Sequence, residues 1–409
     1  MRKRCARVCG CVTRNGSGLP SSGFRPATRH LDVLTLLAAT VVWAGLAGCR
    51  SPGGASAGDA ARAINERHVR LFGDAELPRK LGTVENVGLQ IPTLSPDGDK
   101  LLYLRTDQDY LAPMTLLGSP APEHTPSEGT LSIWLRPVEG AATGRRLSPQ
   151  RWAHSPVWSD SGRAIAYVVN EPPTSFIVHL DLDSGQESTL GVPGAINCLP
   201  RLDGNDQAVL FCASETVEGP FRVYRQAVGD AEPTPLTPAG SDCLFPALSD
   251  GVAGVLCAQV EAGHLNWVKC GPRGIREVAP QWSRSARPDL LQTWAGIASP
   301  LSPGRDAVLF YDLVHDRVCV LHVAERIVRR HRRGSIAACW VGNEAVALAT
   351  SDGVFVVNTT TGVSVPVFNG QWIPSRFVPT TNRLVLLGYE TPRRFAVWEV
   401  VFRPRADAG

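Results

Sequence analysis

One short pattern recurs along this chain, and its recurrence limits the folds open to it. IPTLSPDGDKLLYLR, from Ile91 to Arg105, carries a proline into a strand, makes a Ser-Pro-Asp-Gly turn and returns through closely spaced apolar residues. Pro96 presets φ, Asp97 can cap the turn and Gly98 tolerates positive φ. QRWAHSPVWSDSGRAIAYVV, starting at Gln150, repeats it, followed by CLPRLDGNDQAVLFCAS, CLFPALSDGVAGVLCAQ and ASPLSPGRDAVLFYD. CWVGNEAVALATSD and PSRFVPTTNRLVLLGYE are weaker copies. The turns centre near residues 97, 161, 204, 250, 304, 343 and 380, at intervals of roughly 37 to 64 residues. Periods of this size indicate stacked supersecondary units.

A third strand follows each hairpin. In SFIVHLDLDSG, Ser175 to Gly185, Phe176, Val178, Leu180 and Leu182 alternate with Ile177, His179, Asp181 and Asp183, the period of a strand with one wetter face. A fourth element, such as GRRLSP, ESTLGVPG or PTPLTP, leads into the next proline. Four short antiparallel strands in about 45 residues make a β-propeller blade. The expected fold is therefore all-β: a propeller, with seven four-stranded blades favoured. Six is the alternative, because the sixth copy has neither the proline nor a good turn. The last copy ends without a clear fourth strand, while ELPRKLGT, Glu76 to Thr83, precedes the first and matches that strand type. An N-terminal strand completing the last blade would close the ring and leave no free edge.

IPTLSPDGDKLLYLR, SPVWSDSGRAIAYV and SPLSPGRDAVLFY resemble the TolB-like, WD-repeat-related propeller repeat of bacterial proteins. The resemblance covers roughly residues 76–405 and implies the architecture, not an activity. TolB carries a separate α/β domain before its propeller, and prolyl-oligopeptidase relatives join theirs to a hydrolase domain. Here about 25 residues separate Cys49 from the first propeller strand.

The N-terminal segment reads as a targeting signal. Arg2, Lys3, Arg4, Arg7, Arg14, Arg25 and Arg29 precede the apolar run Leu34 to Ala47, too short to span a bilayer comfortably and right for a signal h-region. It ends in Leu46-Ala47-Gly48-Cys49, followed by RSPGGASAG. This looks like the lipobox of bacterial lipoproteins, and the resemblance implies lipid on Cys49 as the mature N-terminus. Residues 1–48 are then a signal peptide with a long n-region. Residues 49–75 are a Ser/Gly/Ala tether, 76–405 the propeller and 406–409 a tail. Arg50 is not the aspartate that favours inner-membrane retention, so the expected location is the outer membrane, facing the periplasm. The formal charge of +3 arises in the signal. Beyond it acidic residues outnumber basic ones by three, and no nucleic-acid partner is expected.

Of 11 Cys, seven follow the lipobox: Cys198, Cys212, Cys243, Cys257, Cys270, Cys319 and Cys339. Cys198/Cys212 and Cys243/Cys257 share one spacing, with a turn at each midpoint. A hairpin sets such residues opposite each other, which makes both pairs disulfide candidates in an exported protein. Buried free thiols fit the same positions. No Cys-x-x-Cys pair suggests zinc, and neither a metal nor a cofactor is expected.

Catalytic motifs are absent. GASAG, Gly54 to Gly58, matches Gly-x-Ser-x-Gly in form, but it lies in the tether rather than between a strand and a helix. No Walker, dinucleotide or His-Glu-x-x-His motif appears. The loops joining one blade's last strand to the next blade's first are the expected binding surface, gathered at the mouth of the channel. They hold Arg151, Trp152, His154, Trp282, Arg284, Arg287, Trp294 and Trp372, with Trp and Arg being residue types enriched at binding hot spots. Packing between blades is the competing use of these tryptophans. RIVRRHRRG, Arg326 to Gly334, is either an anion-binding stripe or a charged outer edge strand. The expectation is a non-catalytic, lipid-anchored envelope propeller that binds a protein partner. Binding of glycan or peptidoglycan is the alternative, and a metal-dependent propeller lyase or lactonase is a lesser one.

Overall fold

A computed structural model describes residues 57–403 with breaks, the longest at 107–130 and 285–299. Among the described residues seven antiparallel sheets follow one another along the chain, six of four strands and one of three. This is the seven-bladed propeller. The weak sixth copy forms a full blade from Ala337–Trp340, Ala345–Thr350, Gly353–Asn358 and Ser364–Asn369. Gly342, at φ +75°, makes its first turn without a proline. Blade five has the three strands Ala307–Asp312, Arg317–His322 and Ile327–Arg333. Among the described residues its innermost strand is a bridge between Leu301 and Val308, where Pro300 and Pro303 supply no amide hydrogen.

The recurring turn is built by its serine as much as by its aspartate. Ser95 Oγ accepts from Lys100 N at 3.0 Å, Ser159 Oγ from Ala164 N at 3.1 Å and Ser302 Oγ from Ala307 N at 3.0 Å. A residue with left-handed backbone completes each turn: Gly98, Gly162 and Arg305. The inner strands carry a second repeated device. Ser155, Leu199 and Phe245, each just before a proline, have φ of +51°, +53° and +54°. Each sits in a β-bulge of its blade's first hairpin, which bends the inner strand around the ring.

Closure follows the expected route. Arg79–Val84 pairs antiparallel with Arg394–Val401, the third strand of blade seven, so the two chain ends share one sheet. A buried carboxylate marks the seam: Glu399, 7% exposed at its side chain, receives Arg79 at 2.6 Å and Arg383 at 3.4 Å. Leu81 and Val84 enter the core shared with Phe395 and Val397.

The tether expected over 49–75 is not wholly extended. Ala57–Phe72 is an α-helix. Its inward residues Ala61, Ile64, Asn65, His68, Leu71 and Phe72 recur at helical spacing, and Arg62 pairs with Glu66 one turn on. Phe72 meets Phe402 edge-on at 5.2 Å, and the His68 Nε2 atom lies 3.1 Å from the Val356 carbonyl. The sequence reading gave weight to the small residues near Cys49 and missed this apolar stripe. Among the described residues no helix is long and apolar enough to cross a membrane.

Candidate functional site

A four-stranded meander has two kinds of end. First-to-second and third-to-fourth turns lie at one, called here the turn end. The connections between blades lie at the other, the loop end, where the sequence placed the binding surface. Trp152 is half-buried there, bridged to Leu131, and its carbonyl accepts from Asn170 N at 2.9 Å. His154 was expected on a loop; it is instead in the strand Ala153–Trp158 and 2% exposed. The bulge at Ser155 carries its strand inward. Burial pushes the His154 imidazole down to about 4, so it is neutral near pH 7, with a hydrogen bond to Asn170 opposing the shift. A buried neutral histidine in this position is a structural group rather than an exposed ligand.

Trp282 and Arg284 also leave the expected loop. They lie in Gly274–Arg284, the long outer strand of blade four, with Arg284 facing His264 in register. Trp372 reaches the loop end, but its indole is engaged. It packs against Phe368 of blade six at 5.0 Å and Trp398 of blade seven at 5.2 Å, and its Nε1 donates to the Asn369 carbonyl at 3.2 Å. Trp372 thus seals the gap between two blades. Arg151, Arg287 and Trp294 fall outside the described residues.

The turn end carries a charge cluster that sequence spacing could not show. Asp160 is on the first turn of blade two and Arg305 on that of blade five, three blades away. Their charged groups nevertheless approach to 3.5 Å. Such a pair meets only across the axis, so it narrows the channel at this end. Arg201 and Arg376, from the inner strands of blades three and seven, both feel the Asp160 carboxylate, which favours their charged forms. Burial lowers both guanidiniums, Arg201 to about 10. Neighbouring turns are tied as well, Gly304 N to Asn343 Oδ1 at 2.7 Å and Arg383 to Asp99 at 2.9 Å. The helix Ala57–Phe72 docks at this end. A cleft of about 300 Å³ beneath it is lined by Ile64, His68, Phe72, Glu344, Asn358 and Phe377. A cross-axis ion pair and the docked helix thus both occupy the turn end.

Ile327–Arg333 is the outer strand of blade five, which agrees with the edge-strand reading of RIVRRHRRG. Its arginines are partly engaged: Arg330 pairs with Asp312 at 3.5 Å, while Arg332 lies 3.7 Å over the Phe355 ring.

All seven cysteines beyond Cys49 are free and buried. Cys198 and Cys212 do face each other in register, as the spacing implied. Cys243 does not face Cys257; a bulge in the hairpin shifts it opposite Gln259. Cys257 instead shares a neighbourhood with Cys243 and with Cys270, which the pair-counting had left over. Hydrogen bonds from Cys243 and Cys257 push Cys270 down to about 4, whereas hydrogen bonding to the other two sulfurs and burial push Cys257 up. The signal available in the sequence was the placement of three cysteines on three successive strands of one blade.

No family model and no curated protein matches the sequence. Solved structures do share its shape. An oligogalacturonate lyase in complex with manganese aligns with a TM-score of 0.54 at 11% identity, over 81% of this chain and 96% of that one. An oligogalacturonate lyase from Vibrio parahaemolyticus gives 0.52 at 11% identity, over 81% and 95%. TolB from Acinetobacter baumannii is similar at a TM-score of 0.43 and 14% identity, over 68% of this chain; the chain spans 65% of TolB's own length. At such identities the likeness of the lyases is one of fold, and function has to be argued from this chain's own residues.

Proposed function

We propose that this protein is a lipid-anchored, non-catalytic β-propeller of the bacterial cell envelope, held in the outer membrane on the periplasmic side, that captures a protein partner at its loop end. The observation that carries this reading is the docking of Ala57–Phe72 at the turn end, against residues such as Asn343, Glu344 and Asn382. Cys49 precedes the helix by eight residues, a reach of at most about 28 Å. In this reading the tether joins the helix that docks at the turn end, and the loop end, with Trp152 and the strand bearing Trp282 and Arg284, is left for the partner. Lipid on Cys49 holds firmly when two or three acyl chains are attached, since each buried CH₂ contributes about 0.8 kcal/mol. The lipobox pattern and the tied turn end support the same reading.

The test is a crosslinking capture from intact envelopes, with the full chain and a Trp152→Ala/Trp282→Ala variant, alongside a Cys49→Ser variant probed for acyl label. One defined protein captured by the parent chain, lost with the double variant and accompanied by acylation at Cys49, is the expected result. Cell-wall fragments captured without a protein would replace the partner by a glycan. Turnover of an acidic oligosaccharide by the purified chain would overturn the non-catalytic reading. Absence of label on Cys49 would remove the anchor.

A further inference from the structure

Three buried cysteines in blade four converge from three adjacent strands: Cys243 from Cys243–Ser249, Cys257 from Val255–Glu261 and Cys270 from His264–Gly271. All three are fully buried. Their sulfurs lie within 4.8 Å of one another, and the Cys257 and Cys270 sulfurs are 3.8 Å apart. We propose that this trio is a binding site for a single soft, thiophilic metal ion, which ties the three strands together.

The register places the three side chains on one face of the sheet. Cys257 faces Val268 and Cys270 faces Val255, so each is displaced by two residues from the other's direct partner. Cys243 faces Gln259, again two residues from Cys257. A displacement of two keeps all three side chains on one face of the sheet. It also makes the pairs diagonal, with backbones about 7–8 Å apart, whereas a disulfide needs Cβ atoms about 3.8 Å apart. The three sulfurs nevertheless gather within 4.8 Å of one another, without being set for a sulfur–sulfur bond. Three sulfurs bound at about 2.3 Å around a trigonal ion stand about 4.0 Å from each other. The observed separations reach that value with side-chain shifts well under the length of a bond. Thiolate-only coordination selects soft ions such as zinc, cadmium or copper(I) over hard ones. Three thiolates leave one net negative charge with a divalent ion and two with a monovalent one, so burial favours the divalent case. Each thiol that starts protonated releases its proton as the ion binds. The site is sealed within a core that includes Trp267 and Phe310, so the ion enters while the blade assembles. Among the described residues this is the one group of three ligands gathered in this way. The role is structural, because no ligand position faces solvent, and it is independent of the partner-binding reading.

The test uses the full chain produced with cadmium(II) in the growth medium, stripped of loose metal by a chelator and kept reduced. The expected result is one cadmium per chain by elemental analysis and a thiolate-to-metal charge-transfer band in the ultraviolet. Cys257→Ser and Cys270→Ser should each lose the band, while Cys319→Ser and Cys339→Ser keep it. Production with zinc(II) should likewise give one ion per chain. The parent protein's own readout does not depend on whether the variants fold. Folded parent protein without metal or band overturns the proposal. So does a band retained in both trio variants, or peptide mapping of non-reduced protein that finds two of the trio joined as a disulfide.

Discussion

Removing the indole of Trp372 and adding a methyl group at Gly388 should cost less together than the two costs summed. A Cβ on Gly388 would stand 2.4 Å from Trp372 Cζ3 and 2.6 Å from Cε3, well inside contact distance. Gly388 lies in the middle strand of blade seven, opposite Ala396, where the sheet gives little room to retreat. Overpacking of this kind costs about 1–3 kcal/mol. Trp372→Ala deletes the contacts with Phe368 and Trp398. A fully buried Trp→Ala change costs about 3–5 kcal/mol, and the half-exposed position of Trp372 brings that to about 2–3 kcal/mol. In the double variant the new methyl group enters the space the ring has left. The double variant should therefore be no less stable than Trp372→Ala alone, a coupling of about 1–3 kcal/mol. Urea unfolding followed by far-ultraviolet circular dichroism measures this, with equal slopes required before midpoints are compared. Additivity to within about 0.5 kcal/mol would refute the packing described here. A Trp372→Ala variant of unchanged stability that loses partner capture would show that the ring serves binding.

Phe72→Ala should cost about 3 kcal/mol and expose Ala57–Phe72 to protease while the blades stay resistant, because Phe72 joins the helix to Phe402. Uniform resistance after that change would mean the helix is held by other contacts. Acid should destabilise the protein as pH falls from 6.5 toward 4. Burial holds His154 and His331 near 4 in the folded state, so the unfolded chain binds their protons first, a loss of up to about 3 kcal/mol for each. His154→Gln should flatten this part of the pH profile, and an unchanged slope would exclude His154 as a source. Arg329→Val with Arg333→Val should lower solubility by baring the edge of blade five to pairing with another chain. Light scattering that matches the parent across concentration would show that charge is not what guards this edge.

Most of the architecture was legible in the sequence because a blade is local. Pro96, Gly98 and the alternation from Phe176 to Asp183 act over a few residues, and seven repetitions leave few alternatives. Closure by Arg79–Val84 was legible for the same reason, a missing strand at one end and a spare one at the other. The helix was missed because its inward stripe is short and mixes Ile64, Leu71 and Phe72 with Ala61, Asn65 and His68, a weak signal beside the Ser/Gly-rich segment before it. The candidate site was read less well. Trp372 had two possible uses, and only the positions of Phe368 and Trp398 show that packing claims it. Trp282 and Arg284 were placed on a loop because the outer strand of blade four runs longer than its counterparts.

By itself, then, the sequence determined the propeller and its closing strand and favoured seven blades over six; the full sixth blade came from the structure. The propeller and its closing strand rest on short-range chemistry or on counting. The tertiary structure alone decided what meets across blades and strands. Asp160 and Arg305 come together over 145 residues, and Cys243, Cys257 and Cys270 share one pocket through a bulge and a two-residue offset. Registers, bulges and ring closure set those distances, and no local pattern of residue types encodes them.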